Sequence, residues 1–485
     1  DVKSTIRRAY GEEFEQARQT EPYRRLEELW QAKAAYVERA EEACVKAEEL
    51  ITAARHPAVA PRETASPGGY VSENHAWENI NVIENDFLRV EVDGGQGGIV
   101  SLVDKTTGRE WVGKGSKEPF AGYRYDLYSA RDIAEFMRSY GLFLQDWFVQ
   151  DFGKAGYPED SEHVTAFARD FGIDKVTWEG GASLTLAGGR LSPGGSGYIK
   201  VPGQQIDIIF RLSGAPWLDI EYRVSNKVAT PLAESAVVSF PLNLPKATYR
   251  LGQTGSVIDP VRDVAAGANR SLWCVDNWVY TSDDRYGLGI IPVDMPLVSL
   301  GSVGIFEFDP ERVPGGSTVY SHLFNTQWGT NFPQWLEGDF TFRVRFVPER
   351  GEWRGWRVGA VQHALWDVAN DTTRQAAKST RLPERGQVIV LPSGWVLLAV
   401  RPRHDGEGAI VRFWDQLGLA RTLPVSILGP VSEVWKCDLM ERPREQLQLV
   451  ESALPGYVTV ELNLEPHAVE TLWVSFARTR EDGEG

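Results

Sequence analysis

The chain has 485 residues, 42% of them hydrophobic and 24% charged, with a formal net charge of −16 at pH 7. That length and balance suit two or three domains with cores of their own, and the acidic surplus argues against a polyanion such as nucleic acid, which is bound through clustered Lys and Arg. No apolar run approaches the roughly 18 residues of a membrane span, and three distant cysteines, Cys44, Cys274 and Cys437, predict free thiols in a reducing, cytoplasmic compartment rather than a disulfide framework.

Residues 1–55 read as a helical hairpin or bundle segment. Pro22 suits the first turn of a helix running to about Ala54. Along it Tyr23, Leu26, Trp30, Lys33, Val37, Ala40, Cys44, Ala47 and Ile51 step by three and four, an apolar seam with one lysine fault. Such a seam needs cover, and Ile6, Tyr10, Phe14 and Ala17 form a second stripe suited to supply it. Residues 56–78, with three prolines and two glycines, read as a linker.

Beyond the linker the pattern is almost wholly β. Residues 83–112, IENDFLRVEVDGGQGGIVSLVDKTTGREWV, alternate apolar and polar side chains on either side of a glycine cluster, which predicts two or three antiparallel strands with tight turns. GGQGG lacks the strand-to-helix context of a phosphate loop and is expected to be a turn. QIDIIFRLSG, WLDIEYRVSN, VVSFPLNL, YGLGIIPVD, FTFRVRFVP, QVIVLPSGWVLLAVRP and YVTVELNL repeat the strand signature between Gly, Pro, Asn and Asp turns. The expected fold is mainly β: the helical segment, a large antiparallel super-sandwich over 79–385 and a smaller sandwich over 386–485. Residues 123–152, rich in Tyr and Phe, have helix-like spacing and predict an insertion that caps the sandwich or walls a neighbouring domain.

Two segments combine amides with aromatic rings. In SHLFNTQWGTNFPQW, residues 321–335, the side chains Asn325, Gln327, Trp328, Asn331 and Trp335 crowd together beside turn-forming Gly329 and Pro333. Amides are costly to bury unpaired, so the loop implies either a dense internal network or a wet concave surface. A sugar suits the second option, with amides bonding vicinal hydroxyls and a tryptophan stacking on the pyranose face. In CVDNWVYTSDDRYG, residues 274–287, Asp276, Asn277 and Trp278 have the same character, whereas Asp283 and Asp284 read as a solvated turn. His322 beside the first loop imitates a mutarotase histidine, although a lone strand histidine is more commonly satisfied in place. The seven histidines show no H-x-D or H-x-x-x-H spacing, so no metal set is expected in this chain.

The pattern E-N-x-F-L-R-V-E-V-D … G-G-I-x-S-L-x-D-K-x-T-G-R-E resembles the start of the large β-domain that follows the catalytic domain in glycoside hydrolase family 38, the α-mannosidases. VWKCDLMERP, VTVELNLEP and HAVETLWV resemble the strands that end those enzymes. The segment 321–335 resembles a divergent branch, so no residue role is transferred. The resemblance implies a galactose-mutarotase-like super-sandwich and a glycosidase whose zinc and Asp nucleophile lie on an N-terminal region, in the same polypeptide or a separate one. The start at DVKSTIRRAYG, without Met or leader, fits that expectation. The function expected is the carboxyl-terminal part of such an enzyme, bordering a carbohydrate cleft, with no cofactor, nucleic acid or membrane of its own. The alternatives are a stand-alone carbohydrate-binding protein and a structural module.

Overall fold

The computed structural model describes residues 9–11, 13–53, 71–75, 80–141, 154, 156–171, 175–178, 182–191, 203–253, 256–350 apart from 277, 284, 314, 330 and 331, and 389–476 apart from 392–394, 405–407, 416, 417, 419 and 420. For residues 43–53, 71–75, 175–178, 182–191 and 421 it describes the backbone alone. The chain forms two compact units, residues 1–57 with 62–353 and residues 58–61 with 354–485.

In the first unit, two helices, α1 (Glu13–Arg18) and α2 (Glu21–Ala53), precede the sheets. A meander follows, in the order Val71–His75, Ile80–Glu84, Leu88–Asp93, Gly98–Asp104, Arg109–Glu110, so a strand lies within the stretch read as a linker. The super-sandwich itself has two sheets. One runs Ser256–Ile258, Thr248–Gln253, Val279–Ser282, Tyr286–Pro292, Gly338–Arg350, Leu218–Lys227, Gln204–Leu212, Ala182–Leu191, Lys175–Trp178. The other runs Trp273–Cys274, Leu297–Leu300, Thr318–Asn325, Glu234–Pro241, Gly122–Leu127, Val164–Phe167. Pairing is antiparallel in both.

Alternation explains the faces. Ile206, Ile208, Phe210 and Leu212 point into the core with Leu218, Ile220, Tyr222 and Val224 of the neighbouring strand, while Arg211, Glu221 and Arg223 pair outside. The strand Glu234–Pro241 is buried along its whole length because both faces are covered. Ala236, Val238 and Phe240 face the opposite sheet. Val237 faces a second cluster made by α3 (Ala130–Tyr140), which contributes Ile133, Phe136 and Met137.

The aromatic stretch expected over 123–152 therefore divides in two. Gly122–Leu127 is a strand rather than a helix, since Tyr123, Tyr125 and Leu127 recur at every second position and enter the core. Only α3 is helical, started by a capping box in which the Ser129 side chain and the Asp132 backbone and carboxylate satisfy one another. Its apolar face closes one side of the sandwich, the capping role. Residues 142–153 lie outside the described residues.

The second unit is a two-sheet sandwich. One sheet is ordered Ile389–Val390, Arg421–Leu428, Tyr457–Leu464, Val450–Glu451, the other Trp395–Pro402, Ala409–Asp415, Val469–Phe476, Val431–Cys437, Pro443–Leu447. Val411, Phe413, Val425, Ile427, Val434, Val460, Leu462, Leu472 and Val474 fill it. Cys274 and Cys437 are free thiols, and the side chain of Cys44 lies outside the described residues.

Close packing requires glycine at position 252 of the larger sheet. A Cβ on Gly252 would lie 2.3 Å from Nε1 of Trp278, whose indole is 4% exposed and cannot swing aside. Gly252→Ala should therefore lose about 1–3 kcal/mol through overpacking. Chemical denaturation of the variant checks this, and unchanged stability would show that the indole has room to move.

Candidate functional site

The amide loop leaves the strand Thr318–Asn325 and returns in Gly338–Arg350, so it crosses one end of the super-sandwich. Beneath it lies a buried charge cluster. The Lys227 ammonium is 2.9 Å from Glu234 Oε1, and both side chains are fully buried. Tyr125 donates its hydroxyl to Glu234 Oε2 at 2.5 Å. Burial pushes the Glu234 carboxyl above its ordinary range, opposed by the lysine charge and the tyrosine hydrogen bond. The Tyr125 phenol is pushed well up by burial and by the Glu234 charge.

The cluster grips the loop through its backbone. Lys227 donates to the carbonyl of Leu336 at 2.9 Å and of Val228 at 3.2 Å, and the buried Lys154 donates to the carbonyl of Gln334 at 3.5 Å. Thr326 N–H donates to the Glu234 carbonyl at 2.9 Å, and Glu234 N–H donates back to Thr326 Oγ1 at 3.0 Å. Tyr157 braces the other side, donating to the Tyr128 carbonyl and accepting from Ala233 N–H.

Between the two gripped carbonyls, Trp335 turns the other way. Its ring stacks on Tyr23 at 5.7 Å and meets Phe14 and Trp30 edge-on at 5.3 and 4.8 Å. Its Nε1 donates to Glu27 Oε1 at 3.1 Å. Arg18 completes the seam, with Nε and Nη2 on Glu27 and two further hydrogen bonds to Glu337. Residues 334, 335 and 336 thus alternate between the charge cluster and the helices.

The residues singled out in the sequence separate accordingly. Trp335 is 7% exposed and Trp278 4% exposed, and both are core residues with covered rings, which corrects the expectation that either offers a stacking face. Trp278 packs on Gly252 in the larger sheet, and Asp276 beside it is exposed, its N–H bonded to the Gly252 carbonyl. Asn277 and Asn331 lie outside the described residues. Asn325 is half-buried and its Oδ1 accepts from Gln327 N–H. Gln327 is 2% exposed and its Oε1 has no hydrogen-bond partner among the described residues. Trp328 is half-buried, its ring edge-on to Phe136 at 5.6 Å and Tyr140 at 5.7 Å. The loop therefore retains half-buried Asn325 and Trp328, with the buried Gln327 between them, as the candidate polar and aromatic group.

His322 is buried and bonded through one ring nitrogen, its Nδ1 having no hydrogen-bond partner among the described residues. Its Nε2 lies 3.1 Å from Ser299 Oγ, and burial pushes the imidazole down to about 3, so it stays neutral. Asp283 caps its own turn, accepting from the N–H groups of Arg285 and Tyr286. Sequence reasoning missed Lys154, Lys227 and Glu234, which look like ordinary strand and loop charges.

Comparison with known proteins bears on the fold. Residues 394–472 match the family described as glycosyl hydrolases family 38 C-terminal beta sandwich domain. Residues 6–173 match a domain of unknown function, DUF5054. Among solved structures, a glycosyl hydrolase family 38 protein from Enterococcus faecalis aligns at 12% identity and a TM-score of 0.51, covering 86% of this chain and 46% of that one. An alpha-mannosidase from Enterococcus faecalis V583 aligns at 12% identity and a TM-score of 0.53, covering 85% and 43%. A galactose mutarotase-like protein from Lactobacillus casei aligns at 13% identity over 56% of this chain and 100% of that one, with a TM-score of 0.33, too low to carry an argument. No curated protein sequence gives a significant match. The chain shares the fold of part of these two structures, and its residues 394–472 match the C-terminal β-sandwich domain of family 38. It spans less than half the length of the two family 38 structures it matches.

Removing one member of the buried pair should be severe. Lys227→Met leaves an unpaired carboxylate in the core and is expected to cost about 3–5 kcal/mol, much of it recovered in Lys227→Met/Glu234→Gln, which removes the stranded charge. Denaturant titration of the two variants checks this, and a double variant no better than the single one would contradict the role assigned to the charge.

Proposed function

We propose that this chain forms the carboxyl-terminal part of a glycoside hydrolase resembling family 38 α-mannosidases, and that it supports and borders a carbohydrate-binding cleft. The observation that carries this reading is the family match over residues 394–472 together with the fold likeness to a family 38 protein over 86% of the chain. The zinc and the carboxylate nucleophile of the complete enzyme would belong to an N-terminal region, on the same polypeptide or a partner.

Among the described residues no group of three His, Cys, Asp or Glu side chains could hold a metal ion. In this reading the described side chains support the cleft, and the zinc is held elsewhere in the complete enzyme. Their contribution is to bind and to position. Trp328 lies half-buried beside the polar loop, and Gln327 Oε1 is an acceptor with no hydrogen-bond partner among the described residues, a burial that costs on the order of 1–3 kcal/mol. A sugar hydroxyl reaching that oxygen would relieve the cost. Among the described residues no helix is long and apolar enough to cross a membrane, and the acidic balance gives no support to a nucleic-acid partner.

The test is to isolate the protein from its source cells together with whatever polypeptide accompanies it, and to assay metal content and α-mannoside hydrolysis. The expected result is a zinc-containing assembly that hydrolyses the substrate, in which Trp328→Ala weakens sugar binding roughly three- to tenfold, the range of a lost aromatic contact. A metal-free chain found alone with no hydrolytic activity would overturn the enzyme reading, and unchanged binding in Trp328→Ala would remove the loop from the site.

A further inference from the structure

An imidazole links the first turn of helix α3 to the smaller sheet of the super-sandwich. His163 precedes the strand Val164–Phe167, and its Nδ1 lies 3.1 Å from Asp132 Oδ2 in the first turn of α3. Its Nε2 lies 3.2 Å from Asp126 Oδ1 on the strand Gly122–Leu127. A neutral imidazole has one N–H and one lone pair, so only the imidazolium can donate to both carboxylates at once. In the neutral form one carboxylate would face a nitrogen lone pair.

Neither carboxylate is free to turn away. Asp126 is fully buried, and Arg124 holds both its oxygens at 2.8 and 3.0 Å while Thr165 Oγ1 donates to it at 2.6 Å. The hydrogen bonds from His163 and Arg124 outweigh burial and hold its carboxyl below the ordinary range. Asp132 Oδ2 accepts from Ser129 N–H and Ser129 Oγ, both at 2.7 Å, in the capping box of α3. Of the other groups around the ring, Tyr128 lies edge-on at 5.0 Å, its phenol pushed up by burial so that it stays neutral. Glu118 reaches the site only through Arg124, which it binds at 2.7 Å.

We propose that His163 is a proton-operated latch: protonated, it clamps the N-terminus of α3 to the sheet, and deprotonated, it releases that end of the helix. The consequence reaches the amide loop, because Phe136 and Tyr140 of α3 are the rings that flank Trp328. The latch is independent of whether that loop meets a sugar.

The hydrogen bond to Asp126, with the charges of Asp126 and Asp132, raises the His163 pKa above 6.5 against the opposing effect of burial. A group whose folded pKa is raised contributes stability that is complete below its unfolded value, about 6.5, and lost as pH climbs through the folded value. The latch is therefore closed at pH 6 and opens as pH rises through the raised folded value.

Two measurements test it on the whole chain. Proton NMR of the histidine rings, with His163→Gln identifying the resonance, gives the His163 pKa, and hydrogen exchange gives the protection factors of the α3 amides between pH 6 and 9. The expected result is a pKa above 6.5 that falls toward that value in Asp132→Asn. The α3 protection should fall by up to roughly tenfold for each unit by which the pKa exceeds 6.5, and should be low and flat in His163→Gln. A pKa at or below 6.5, or a protection profile that changes with pH equally in His163→Gln, would overturn the latch.

Discussion

The buried pair of Lys227 and Glu234 is the constraint around which the first unit is arranged. Both charges are withdrawn from water at the point where the strands Leu218–Lys227 and Glu234–Pro241, one from each sheet, are joined by a short turn. Such a pair gains little over an apolar substitute, but it is strongly unfavourable when half-made. Everything that completes it is therefore held in place: the Tyr125 hydroxyl on one carboxylate oxygen, and the Leu336 and Val228 carbonyls on the ammonium.

That requirement determines where the amide loop can lie. Its backbone must return over the cluster to satisfy Lys227 and Lys154, which leaves Trp335 on the opposite side, where α1 and α2 cover it. The helices are thus fastened to the sandwich through a residue of the loop, and Arg18 bridges Glu27 of α2 to Glu337 at the loop's far end. On the other flank α3 packs Phe136 and Tyr140 against Trp328. A largely buried polar segment is in this way gripped from beneath and on both sides, an arrangement suited to holding side chains in a fixed geometry.

The sheets were legible in the sequence because alternation carries their whole signal. Ile206, Ile208, Phe210 and Leu212, or Leu218, Ile220, Tyr222 and Val224, identify a buried face without any tertiary information. Tyr123 and Tyr125 misled, since a stretch dense in aromatics matches several periods at once and only the flanking sheet decides between them. The site was legible as an accumulation of amides and rings, but its sorting was not. Trp335 is taken into the core by Phe14, Tyr23 and Trp30, about three hundred residues away along the chain, and nothing local distinguishes it from Trp328. Lys227 and Glu234 resemble surface charges in isolation, because their burial follows from the meeting of two sheets. The resemblance to family 38 enzymes supplied what pattern could not, an expectation of what such a sandwich accompanies.

We propose that the loop centred on Gln327 and Trp328 borders a sugar site. A crystal structure of the protein in its native assembly with a mannose-type inhibitor bound tests it most directly. The claim predicts a pyranose ring in contact with Trp328 and a hydroxyl within hydrogen-bond distance of Gln327 Oε1. A bound sugar lying away from this loop, with Gln327 and Trp328 unchanged, would contradict it.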